Sequence, residues 1–98
     1  MIANKARGET VLMIDGAPRR LCLTLGALAE LECAFEADSV EALAARLGKL
    51  SASDLTVVLA ALIAGGGEAM SPQQIAAANI DVAAAARAVA EAFQRALA

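Results

Sequence analysis

Residues 8 to 25, GETVLMIDGAPRRLCLTL, decide how this chain reads. Two runs of strand-forming residues flank Asp15-Gly16, and a type I′ turn needs positive φ at both central positions, which Asp and Gly tolerate. The spacing predicts strands over about 9–14 and 17–23. A two-residue turn pairs Ile14 with Ala17, Leu12 with Arg19 and Thr10 with Leu21, and alternation then turns Leu12, Ile14, Leu21 and Leu23 toward one face. Val11, Met13, Arg20 and Cys22 are expected on the other. Pro18 has no N–H to give a ladder, so its strand is expected to be an edge at that point.

Beyond Leu23 the strand signals stop and helix-start signals recur. Thr24 can cap a helix running to about Ala37, with Leu25, Leu28, Leu31 and Phe35 at helical spacing and facing inward. Asp38 and Ser39 offer the next cap, with Glu41 three residues after Asp38, and Val40, Leu43, Ala44, Leu47 and Leu50 form its stripe. Gly48 marks the end of that short helix. Ser51 and Asp54 make an S-x-x-D box opening a helix that carries Leu55, Val58, Leu59, Leu62 and Ile63 until Gly65-Gly66-Gly67 stops it. Ser71-Pro72-Gln73-Gln74 combines an N-cap, a proline at the first helical position and a Gln at the third, and starts a helix to about Ala78. Asn79 or Asp81 caps the last helix, where Val82, Ala86, Val89, Phe93 and Leu97 share a face and Glu91 precedes Arg95 by four. The expected class is α+β, mainly α: an N-terminal antiparallel β-hairpin followed by a bundle of four to five helices. Residues 1–7 lack periodicity and are expected to be a flexible N-terminus ahead of a single domain over 8–98. Leu28, Leu31, Phe35, Leu43, Leu47, Leu59, Leu62, Val89 and Phe93 are the expected core.

Composition supports a folded, helical chain. Of 98 residues, 59% are hydrophobic and 19% charged, which excludes intrinsic disorder. Alanine fills 27 positions and leucine 13, Phe35 and Phe93 are the only aromatics, and histidine and tryptophan are absent. A chain this short buries roughly 60 to 65% of its unfolded surface, and alanine adds little apolar area, so the core is thin and built from Leu, Val and Ile. The most apolar stretch, Leu55 to Ala64, is about half the length that crosses a bilayer and reads as a buried helix. No membrane role follows. The N-terminus has no signal-peptide apolar core, so a cytoplasmic protein is expected.

The same residues bound the chemistry. Net charge is −3 with no basic window, and duplex or single-strand binders need several Lys and Arg contacts or stacking aromatics, so nucleic acid is not an expected ligand. Cys22 and Cys33 have no CxxC spacing and no histidine, which fits reduced thiols better than zinc or a disulfide scaffold. Without histidine, an enzyme would need carboxylates. Glu30, Glu32, Glu36 and Asp38 form the one acidic cluster, with Glu32 and Glu36 placed at i, i+4. No oxygen-ligand loop accompanies them, so a solvated or partner-facing surface is expected and no metal, cofactor or catalytic site. The glycine trio lacks a P-loop lysine and follows a helix, so it reads as a helix stop. Arg19 and Arg20, with Lys5 and Arg7, make the only basic grouping. It suits the acidic helix face or an acidic partner, and a structural or solvated role more often.

The segment RRLCLTLGALAELE at 19–32, the IDG turn before it and LSASDLTVVLAALIAGGGEAMSPQQI at 50–75 together resemble the gene transfer agent family of small phage-derived tail proteins. The resemblance covers roughly residues 7 to 93. That family is similar to phage tail assembly chaperones and is also described as a tail tube protein. The resemblance implies a non-enzymatic helical adaptor that binds the tape measure protein, keeps its hydrophobic helices soluble and helps recruit tail tube subunits. Strand signal for one hairpin favours the chaperone label, since tail tube subunits resemble one another in a large β-sandwich. Candidate partner-binding residues are Leu55, Leu59, Leu62, Ile63, Glu32, Glu36, Arg19 and Arg20. Competing readings are a structural component retained in the phage-like particle and a small helical regulator, against which the acidic balance weighs. A hairpin also has two unpaired edges, so homo-oligomer formation through the first strand is a further expectation.

Overall fold

The computed structural model describes residues 8–97, so the expected flexible N-terminus, residues 1–7, lies outside the described residues. The order is β1 (Glu9–Ile14), β2 (Ala17–Cys22), α1 (Leu25–Ala34), α2 (Val40–Leu47), α3 (Ala52–Gly65), α4 (Pro72–Ala77) and α5 (Val82–Leu97). This is the α+β, mainly α architecture that the sequence implies.

The hairpin forms in the expected register, with Ile14 opposite Ala17, Leu12 opposite Arg19 and Thr10 opposite Leu21. Asp15 and Gly16 take φ of 53° and 76°, as a type I′ turn demands. Leu12, Ile14, Leu21 and Leu23 are buried as expected, and Met13 is exposed. Cys22 departs from the expected outer face and is buried, because the end of α3 lies directly against it. A Cβ built on Gly65 would fall 2.0 Å from the Cys22 carbonyl oxygen, and one on Gly66 2.3 Å from that of Arg20. Val11, Met13, Arg20 and Cys22 belong to the pairs whose backbone groups point out of a two-residue-turn ladder. The outward carbonyls of β2 therefore face α3, and Pro18 stands where β2 would otherwise present an outward N–H. On the β1 side Arg95 donates to the Glu9 carbonyl and the Thr10 hydroxyl donates to Glu91 at 3.2 Å. The open margin of the sheet is the short stretch around Val11 and Met13.

Helix ends follow their caps. Thr24 accepts from Ala27 N–H at 3.0 Å and Ser39, not Asp38, accepts from Ala42 N–H at 3.0 Å. Ser51 with Asp54 and Ser71 with Gln74 form reciprocal capping boxes. Asp81 opens α5 by accepting from Ala83 N–H at 3.2 Å. Asn79 instead ties the hairpin turn to the α4–α5 connection, its carbonyl accepting from Asp15 N–H at 3.0 Å and its N–H donating to the Asp15 carboxylate at 2.7 Å. α3 ends in a Schellman motif, with Gly67 N–H on the Ala64 carbonyl, Glu68 N–H on the Ile63 carbonyl and Gly67 at φ 97°.

Two expected helix features change. α1 stops at Ala34, short of Ala37, because Glu36 adopts φ 53° and closes a second Schellman motif through Ala37 N–H on the Glu32 carbonyl. Leu25 is 81% exposed. A run at i, i+3, i+6 drifts by about 60° per step, so a face centred near Leu31 and Ala27 leaves Leu25 about 140° away.

The other change is in α5. Its inward residues are Ala85, Ala88, Val89 and Ala92, and these press on β1 and α3. Of the expected stripe, Val89 faces the core and Phe93 is half-buried at its margin, whereas Val82, Ala86 and Leu97 are exposed. Small residues let the helix approach the sheet closely, and the larger side chains are left on its flank. The buried cluster unites both strands and all five helices around Leu43, Val58, Leu59, Leu62 and Ile63. Leu28, Phe35, Leu47 and Phe93, expected in the core, are half-buried at its margin.

Candidate partner-binding groove

The displaced stripe of α5 lines an open groove of about 790 Å³. Val82, Ala86, Val89, Ala90, Phe93 and Leu97 form one wall. Ala44 and Leu47 of α2, Leu50 and the first turn of α3 with Leu55 form the other. Ser51 and Gln94 are the only polar side chains among the lining residues, and none is charged. Val82 is 70% and Leu97 52% exposed, at opposite ends of a helix flank about 22 Å long. The lining presents a continuous apolar surface without a charged side chain.

The wall positions follow from the caps. Ser51 fixes the start of α3 and thereby Leu55, while Ser39 sets the rotation of α2 so that Leu43 points into the core and Ala44 and Leu47 toward the groove. Asp54 ties α2 to α3 within one wall. It accepts from the Ser51 N–H at 3.1 Å and from Arg46 at 2.9 Å. The backbone bond from Ser51, then the Arg46 guanidinium, hold its carboxyl below the usual value of 3.8.

Of the residues singled out in the sequence, Leu55 lines the groove, whereas Leu59, Leu62 and Ile63 are in the core. Glu36 is exposed beyond the end of α1, so it shares no helix face with half-buried Glu32. Arg19 forms an ion pair with Glu68 at 2.6 Å, tying β2 to the segment after α3. Arg20 is half-buried next to Gly66, and Lys5 and Arg7 lie outside the described residues. These groups are spread over the molecule and do not converge. Among the described residues no group of three or more Cys, Asp or Glu is placed to hold a metal ion, and no helix is long and apolar enough to cross a membrane. The groove residues were visible in the sequence as helix stripes. Nothing in their spacing separates a stripe that meets the core from one that meets an open cleft.

No curated protein and no solved structure gives a significant match to the chain. A family model described as "Phage tail tube protein, GTA-gp10" matches residues 7–98, nearly the whole chain. The chain, in which RRLCLTLGALAELE runs from β2 into α1 ahead of the capped helices that frame the groove, thus belongs to this gene transfer agent and phage tail family.

Proposed function

We propose that this phage tail-related protein is a non-enzymatic assembly adaptor, which acts in the bacterial cytoplasm by capturing an apolar helix of the tape measure protein in the groove between α2 and α5. The observation that carries this reading is the uncharged, open groove, with Val82 and Leu97 exposed and Phe93 half-buried along one wall. Burying an amphipathic helix in such a groove is a recurring recognition mode, and alanines at 44, 86 and 90 permit close approach. A second reading, a subunit retained in the tail, draws support from the family description, which names the tail tube. The two six-residue strands weigh against it, since a tube wall needs extended sheets that join between subunits.

Co-expression with the neighbouring tail proteins tests both. The tape measure protein is expected to co-purify with the wild type and to be lost from a Val82→Ser, Leu97→Ser variant that keeps its melting temperature. Retention by the variant would refute groove capture. Finding the protein in stoichiometric amount in purified particles would favour the tail-component reading.

A further inference from the structure

α2 is the least anchored wall of the groove. It spans eight residues, buries Leu43 alone completely, and has α1 as its principal neighbour. By contrast α3 buries five residues and α5 four. Beyond Leu43 in the core and Leu47 at its margin, α2 is joined to its neighbours through the Arg46 side chain. Its guanidinium reaches Asp54 at the start of α3 at 2.9 Å, the Lys49 carbonyl in the α2–α3 connection at 3.0 Å, and the face of Phe35 at the end of α1, 5.0 Å from the ring centre. Three separate segments are therefore clamped by one planar group near the surface. Lysine could replace the charge but not the fork or the stacking.

We propose that α2 is a movable wall of the groove, latched by Arg46, so that the cleft width is set by this one residue and changes without unfolding of α3 or α5. The inference rests on the groove being the working surface, yet its test needs no partner. Local opening of a weakly packed element leaves a distinct trace in amide exchange. Each of the three contacts of this half-buried Arg contributes modestly, so Arg46→Met is expected to speed exchange of the α2 amides about tenfold. The amides of α3 beyond its first turn and of α5 should be unchanged. Arg46→Lys should give an intermediate acceleration.

Cleft width is read by spin labels on Ala45→Cys and Arg87→Cys, both exposed positions, in a Cys33→Ser background. The distance distribution should be narrow with Arg46 present and shift to longer, broader values with Arg46→Met. Equal acceleration across all helices would make Arg46 an ordinary stability residue and overturn the proposal. Unchanged α2 exchange, or identical distance distributions, would also overturn it. A failed pull-down with intact latch behaviour would refute the proposed function alone.

Discussion

A methyl group at Gly65 or Gly66 would collide with a β2 carbonyl oxygen, whereas one at Gly67 would meet open space but a φ of 97°. Two of the three adjacent glycines thus allow a close approach and the third a left-handed turn. Gly65 is helical, where alanine ordinarily gains up to about 1 kcal/mol. Gly65→Ala is instead expected to cost about 1–3 kcal/mol, because the helix end must move off β2, and urea denaturation will show the sign. Glu36 presents the reverse case. It holds φ 53° at the end of α1, so Glu36→Gly is expected to stabilise the fold by about 0.5–1 kcal/mol in the same assay. At Asp54 the folded-state pKa lies below 3.8. Its stabilising contribution is therefore complete above the unfolded carboxylate value and is lost as pH falls through the depressed one. Stability followed from pH 6 to pH 2 should fall less steeply at the acid end for Asp54→Asn than for the wild type. The capping residues were legible in the sequence because Ser-x-x-Asp and Ser-Pro-x-Gln act locally. The separate roles of the glycines were not, since a close approach to β2 is a tertiary fact.

Among the elements, α5 shows why an apolar stripe is an ambiguous signal. Its larger residues, Val82, Val89, Phe93 and Leu97, suggested the inward face, but of these only Val89 is buried there, beside Ala85, Ala88 and Ala92. A second stripe of alanines at i, i+3 and i+7 is present in the sequence, yet among 27 alanines it does not stand out. Close packing of small side chains against the hairpin decides the rotation, and the flank inherits the bulk. Phe93 is half-buried, so Phe93→Ala is expected to cost about 1.5–2.5 kcal/mol, roughly half the loss at a fully buried phenylalanine, by thermal or chemical denaturation. The hairpin register was readable because the turn fixes it, whereas the burial of Cys22 under the end of α3 was not. The exit of Leu25 from the core was not, because an i, i+3 run drifts around the helix while looking continuous in sequence.

At the scale of the whole molecule, a hairpin with helices against both edges supports two walls of apolar side chains with no charge between them. The acidic residues that the sequence gathers at 30–38 are dispersed by the end of α1 and by the left-handed Glu36. Family membership places the chain among phage tail and gene transfer agent proteins, and the groove supplies a physical means of holding an apolar helix. The most direct test is titration calorimetry of a tape measure segment at several temperatures and salt concentrations. Capture of an apolar helix in the groove predicts a negative heat-capacity change, affinity nearly unaffected by moderate salt, and loss of binding in the folded Val82→Ser, Leu97→Ser variant. Affinity that falls steeply with salt, and that disappears on changing Glu32 and Glu36 to Gln while the groove variant binds normally, would contradict it.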